Sequence, residues 1–221
     1  MLRHIKAVLF DLDGTLIDSA PDLAAAADRL RMDRGLPGLG PSLYRPHTGT
    51  GARGMLKIAF QIQPEHPEFI DLREEFFRNY ESNLVVHTRP FEGVKELIGS
   101  LDELSLAWGI VTNKSARFTD PIVKQIPLLS QAKTVISGDT TPHAKPHPEP
   151  ILEALRRMNL SPDECVYIGD DERDIVAGKA AGVKTVAAGY GYLGDAGDID
   201  RWGADVNIYS PLDLLKWLPK T

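Results

Sequence analysis

The run Ala7-Val8-Leu9-Phe10, which ends abruptly at Asp11-Leu12-Asp13-Gly14-Thr15, constrains this chain more than any other stretch of it. Four consecutive apolar residues without polar alternation suit a parallel strand covered on both faces. Such a strand lies inside an open α/β sheet, and its carboxyl end, where Asp11 would stand, is where such sheets bind ligands. Gly14 lets the backbone turn close to a bound group, and Thr15 adds a hydroxyl. Taken alone, the stretch also reads as a strand followed by an Asx-type turn, since Asp and Gly are ordinary turn formers.

The rest of the chain weighs between these readings. From Ser19 to about Tyr80 the pattern is helical, with no convincing strand. Ser19-Ala20-Pro21-Asp22 reads as a helix start with Ser19 as its cap, followed by a helix over 23–34 that Gly35-Leu36-Pro37-Gly38 stops. Further helices are expected over 52–60 and 67–85; in the latter, Phe69, Leu72, Phe76 and Tyr80 recur at helical spacing, as core positions do. Beyond Pro90 helix and strand alternate: helices over 93–104, 116–125, 148–158, 175–181 and 212–218, and strands over 106–112, 133–137, 165–169 and 184–188. The Pro/Gly-rich patches 35–41 and 189–203 read as loops. Alternating strands and helices imply crossover connections and a mainly parallel sheet. The all-helical segment 18–85 is therefore expected as an insertion into an α/β core of residues 1–17 and 86–221.

Composition narrows the function. The chain has 221 residues, a net charge of -6 and no basic run, which argues against nucleic acid as a partner. No segment reaches the roughly 20 apolar residues of a membrane span, and the start runs directly into the first strand rather than into a cleavable signal. A cytoplasmic location is expected. The single cysteine, Cys165, excludes an internal disulfide and a cysteine-only zinc site, and suits a reducing compartment. It lies in an apolar strand without a basic neighbour in sequence, so it reads as a structural thiol.

If the strands are parallel, the residues just past their carboxyl ends converge. The first strand supplies Asp11 and Asp13; the next ends in Thr112-Asn113; a third ends near Ser137-Gly138-Asp139, with Lys145-Pro146 following; a fourth ends in Asp170-Asp171, with Asp174 four residues beyond Asp170. Each alone has an ordinary explanation. Thr112 suits a helix cap, Lys145 a solvated surface, and the acidic triplet a helix N-terminus. Their joint placement weakens all of these. Like charges about 4 Å apart repel by about 4 kcal/mol at an effective dielectric of 20, so converging carboxylates call for a cation. An oxygen-only set points to Mg²⁺, and Lys145 would balance the remaining charge and hold a phosphate oxygen.

These residues, in this order, resemble the haloacid dehalogenase-like hydrolase superfamily, and within it the phosphatases. Asp11-Leu12-Asp13-Gly14-Thr15 is similar to the first motif, Val111-Thr112-Asn113 to the second, Lys145-Pro146 to the third and Gly169-Asp170-Asp171-Glu172-Arg173-Asp174 to the fourth. The resemblance implies a Rossmann-like parallel sheet flanked by helices, with 18–85 as a small mobile helical cap. It implies that Asp11 attacks the substrate phosphorus to form an aspartyl-phosphate, and that Asp13 protonates the leaving oxygen and later activates water. Mg²⁺ would be carried by Asp11, Asp13 and Asp170, with Asp171 or Asp174 orienting its waters. Gly14, Thr15, Thr112, Asn113 and Lys145 would position the phosphate.

Ile17-Asp18-Ser19-Ala20-Pro21-Asp22-Leu23 is similar to phosphoglycolate phosphatases, which usually carry a small polar residue where this chain has Asp171. Trp108-Gly109-Ile110-Val111-Thr112-Asn113-Lys114, the fourth motif and Trp202-Gly203-Ala204-Asp205 are similar instead to the N-acetylmuramic acid 6-phosphate phosphatases. Both implied substrates are small phosphorylated metabolites with a carboxylate. Arg53, in His47-Thr48-Gly49-Thr50-Gly51-Ala52-Arg53-Gly54, is expected to bind that carboxylate with its guanidinium fork, and His47 is a second candidate. A monomer or homodimer is expected. Competing readings are a phosphomutase, a haloacid dehalogenase and a phospho-accepting receiver domain; the pair of acids after the first strand and the helical insertion stand against the receiver.

Overall fold

The computed structural model describes residues 4–193 and 197–218. The first strand, β1 (Ala7–Phe10), is wholly buried. Its side chains alternate between two packed layers. Val8 and Phe10 join a cluster with Ile98, Leu101, Trp108 and Ile168, while Ala7 and Leu9 pack with Ile151, Leu155 and Ala177 on the other side. This two-sided burial is why the run carries no polar alternation.

After β1 the chain passes through β2 (Ile17–Asp18) into α1 (Ala20–Met32), α2 (Pro41–Tyr44), a 3-10 segment (Arg45–Thr50), α3 (Ala52–Phe60) and α4 (Phe69–Glu81). Helices α1, α3 and α4 pack on one another. The return is β3 (Arg89–Pro90), antiparallel to β2, so exit and entry are tied together. There follow α5 (Val94–Glu103), β4 (Ala107–Val111), α6 (Ala116–Gln125), β5 (Val135–Ile136), α7 (Glu149–Met158), β6 (Cys165–Gly169), α8 (Glu172–Ala181), β7 (Lys184–Ala188) and β8 (Val206–Ile208). The described sheet has the order β5-β4-β1-β6-β7-β8, every neighbour parallel. Helices α7 and α8 cover one face.

Several expectations are corrected. Ser19 does not cap α1 with its side chain: the hydroxyl turns to Asp13, and the Tyr192 hydroxyl accepts from the N–H groups of Ser19 and Ala20 at 2.8 and 3.0 Å. The helix expected over 67–85 is shorter, as α4, although Phe69, Leu72, Phe76 and Tyr80 are buried as expected. The strand expected over 133–137 shrinks to the two residues of the edge strand β5. The helix expected over 212–218 is a 3-10 segment, Pro211–Lys216, which packs on α5. The loop expected over 189–203 holds a 3-10 turn, Ile199–Arg201, and its residues 194–196 lie outside the described ones, as do 1–3 of the expected amino-terminal lead. Strands β2, β3 and β8 were not expected. No described helix is long and apolar enough to cross a membrane.

Candidate active site

The strand order reverses at β1. From there β4 and β5 lie on one side, and β6, β7 and β8 on the other. The crevice outside the carboxyl ends of β1 and β6 is where open α/β sheets take their ligands. Asp11 follows β1 and Asp170 follows β6; the Asp11 N–H donates to the Ile168 carbonyl at 2.8 Å, which holds the two ends level. Gly14 has φ +90°, and a Cβ there would lie 2.1 Å from Asp170 Oδ2. Only glycine lets this turn pass so close to the acid.

Carboxylate oxygens of Asp11, Asp170 and Asp174 all lie within 4.8 Å of one another. Lys145 Nζ stands 2.8 Å from Asp11 Oδ1 and 2.7 Å from Asp174 Oδ1, and donates to the Tyr167 hydroxyl at 2.7 Å and the Val111 carbonyl at 2.9 Å. Asp170 accepts from the Thr15 hydroxyl at 2.9 Å and the Tyr192 N–H at 2.8 Å. Burial pushes the Asp11 carboxyl up to about 6 against the pull of Lys145, and burial with the charges of Asp11 and Asp174 pushes Asp170 well above the usual range. Asp11 and Asp174 hold the Lys145 ammonium charged against its burial. Three buried carboxylates facing one lysine are short of positive charge, and their oxygen-only donor set fits a hard divalent cation.

Asp13 sits beside this cluster and outside it. Its Oδ2 lies 3.0 Å from Lys114 Nζ, and its Oδ1 accepts from the Ser19 hydroxyl. Thr112 is buried, its hydroxyl accepting the Lys114 N–H at 3.2 Å. The side chain of Asn113 is engaged with the backbone of Lys145: it donates to the carbonyl and accepts from the N–H, each at 2.9 Å. Asn113 thus sets the Lys145 segment, whose peptide bond to Pro146 is cis. Asp171 caps α8, accepting the Arg173 N–H at 2.9 Å, and pairs with the Arg173 guanidinium at 2.7 and 2.8 Å. Burial would raise its pKa, but Arg173 holds it below the usual range.

These groups line a cavity of about 400 Å³ between the sheet edge and the helical layer. Its far wall is apolar, with Leu23, Phe76, Phe77, Tyr80 and Phe118, and Thr48–Ala52 close another side. Arg53 and His47 are not among its lining residues; Arg53 is exposed on the first turn of α3. The arginine that lines the cavity is Arg173, which also donates to the Gly49 carbonyl at 2.7 Å. Cys165 is buried and its thiol pushed up to about 12 by burial, as a structural thiol requires.

Sequence reading missed Tyr167, Lys114, Ser19 and Arg173. Tyr167 carried a signal, a polar-tipped ring inside an otherwise apolar strand, where a buried hydroxyl needs a partner. Lys114 and Arg173 stand within the quoted motifs but at positions that surface cations commonly occupy. Ser19 looked sufficiently explained as a cap.

A family model described as haloacid dehalogenase-like hydrolase matches residues 8–188. An N-acetylmuramic acid 6-phosphate phosphatase of Pseudomonas putida is 42% identical over 213 residues, covering 96% of each chain. A phosphoglycolate phosphatase of Xanthomonas campestris is 41% identical over 220 residues, covering 99% of this chain and 97% of that one. The solved structure of a predicted phosphoglycolate phosphatase from Haemophilus somnus superimposes with a TM-score of 0.85 at 28% identity, covering 98% of this chain and 99% of that one. The chain belongs to the haloacid dehalogenase-like hydrolase family, and the α/β fold expected for it is the one found.

Proposed function

We propose that this protein is a Mg²⁺-dependent phosphatase that hydrolyses the phosphate monoester of a small carboxylate-bearing metabolite through an aspartyl-phosphate on Asp11. The observation that carries this reading is the meeting of Asp11, Asp13, Asp170, Asp174 and Lys145 in one cavity. Asp11 attacks the phosphorus while the ester P–O bond breaks, and Asp13 gives its proton to the departing alcohol oxygen. Water then attacks the phosphorus while Asp13 takes a proton from it, the bond from phosphorus to the Asp11 oxygen breaks, and inorganic phosphate leaves with the Asp11 carboxylate restored. Lys145 orients Asp11 and offsets its charge. Asp11, Asp170 and Asp174, with the Asp13 backbone carbonyl, would hold Mg²⁺, which when bound neutralises charge on the transferring phosphoryl group. The helical layer over the cavity would act as a cap that excludes bulk water.

Relatives named for N-acetylmuramic acid 6-phosphate and for phosphoglycolate are 42% and 41% identical, so identity does not choose between them. The cavity favours the larger acid. A volume of about 400 Å³ with an aromatic wall offers apolar surface that a two-carbon acid cannot cover, while a sugar ring with an acetamido methyl can. A turnover panel of N-acetylmuramic acid 6-phosphate, 2-phosphoglycolate and several sugar phosphates, with Mg²⁺ or EDTA, tests this. The expected result is a kcat/KM about tenfold or more in favour of the muramic ester. Normal turnover by Asp11→Asn would overturn the nucleophile; preference for 2-phosphoglycolate would overturn the substrate.

A further inference from the structure

Lys114 carries a charge where charge is costly. It lies beyond β4 with its side chain only 9% exposed, and its ammonium has two neighbours from different layers. One is Asp13 Oδ2 at 3.0 Å; the other is the ring of Tyr80 on α4, whose centroid is 4.9 Å away. Tyr80 is 1% exposed, stacked on Phe76 and tilted against Phe118 at centroid distances of 6.3 and 5.4 Å. The ring face is a favourable seat for an ammonium already stripped of water. Since Ser19 holds the other oxygen of Asp13, that carboxylate is fixed from both sides, by the start of α1 and by Lys114.

We propose that Lys114 is a positioning residue for the acid–base carboxylate: it aims Asp13 at the ester oxygen, and it does so with Tyr80 of α4 covering its ammonium. The proposal rests on the reading of Asp13 as the group that handles the leaving-group proton. As the P–O bond breaks, the bonding pair stays on the ester oxygen and the Asp13 proton joins it, while the phosphoryl group remains on Asp11. Lys114 donates no proton in this step and acts through the Asp13 carboxylate. A misaimed Asp13 harms departure of an alkoxide, which needs that proton, far more than departure of a nitrophenolate, which does not.

The experiment compares kcat and KM of the full chain with Mg²⁺ on p-nitrophenyl phosphate and on whichever of the two acids it hydrolyses. Lys114→Met is expected to lower kcat/KM, which covers ester cleavage and not the water step both esters share, by about 100-fold for the alkyl ester, the scale of general acid catalysis, and far less for the nitrophenyl ester. Lys114→Arg should recover part of the loss, and Tyr80→Leu should show the same selectivity more weakly. Equal loss of kcat/KM on both esters, or an effect confined to KM, overturns the proposal. Lys114→Gln keeps a donor and serves as the second variant should Lys114→Met fail to fold. Asp13→Asn separates the two readings: equal loss there overturns the acid–base role itself, whereas selective loss there with equal loss in Lys114→Met overturns only the proposal for Lys114.

Discussion

At the scale of single residues, the site is held in tension by its carboxylates. Burial pushes the Asp11 carboxyl up to about 6, against 3.8 for an ordinary aspartate, and Asp170 shifts in the same direction. Between those values the folded chain keeps a proton that the unfolded chain has lost, so stability falls as pH rises through the window. Surface acids held low by cationic partners, such as Glu164 at about 2 beside Lys6, act in the opposite sense at lower pH. Their contribution is nearly complete by about pH 5. We therefore expect the thermal midpoint in EDTA to drop between about pH 5 and pH 7, by about 2–4 °C for each kcal/mol of linkage in a chain of this size. The slope should be shallower in Asp11→Asn, and Mg²⁺ should raise the midpoint more at pH 7 than at pH 5. A midpoint that rises with pH in EDTA would contradict the shift of Asp11. Differential scanning fluorimetry reads all of this.

At the scale of elements, the start of α8 does two jobs through one side chain. Asp171 caps the helix, and it also holds Arg173, whose other contact is the Gly49 carbonyl before α3. The pair braces the Thr48–Ala52 wall of the cavity from the strand-end side. Asp171→Ser keeps a capping oxygen and removes the guanidinium's partner, so stability should change by less than about 1 kcal/mol. We expect KM for the acid substrate to rise about tenfold with a smaller change in kcat, because the wall would lose its support without disturbing the reacting carboxylates. An unchanged KM would show that the brace does not shape the cavity.

Legibility follows the same elements. Strands β1, β6 and β7 and helices α3 and α6 were plain in the sequence, because each has enough residues to express a period or an unbroken apolar run. Two residues at β2, β3 or β5 cannot express one; their pairing is decided by what lies across from them. The strand-end acids were legible as a set because parallel topology sends every carboxyl end to one edge. The contacts of Lys114, Arg173 and Tyr192 were not, since each depends on where a second element docks. Arg53 shows the same dependence: the loop before α3 lines the cavity, but Arg53, exposed on the first turn of α3, is not among the lining residues.

At the scale of the whole molecule, the cavity exists only because a helical layer rests on the sheet edge, and α6 supplies an aromatic part of that contact. Phe118 meets Phe77 and Tyr80 of α4 at centroid distances of 5.2 and 5.4 Å, and Arg117 pairs with Glu74 and Glu81 at 3.0 and 2.8 Å. The ion pairs are exposed and contribute little, at most about 1 kcal/mol each. The buried aromatic contact contributes more. In a rigid core Phe118→Ala would cost about 3–5 kcal/mol of global stability, because the cavity it leaves cannot collapse. A layer that opens on its own should show a different pattern: most of the loss appears as local opening of α4, with the sheet unaffected. We expect hydrogen exchange in Phe118→Ala to quicken over Phe69–Glu81 while β1 and β6 keep their protection, and kcat/KM for the acid substrate to fall about tenfold or more. Uniform loss of protection across both layers would mean that the two unfold as one, and that the cavity fills without the helical layer lifting.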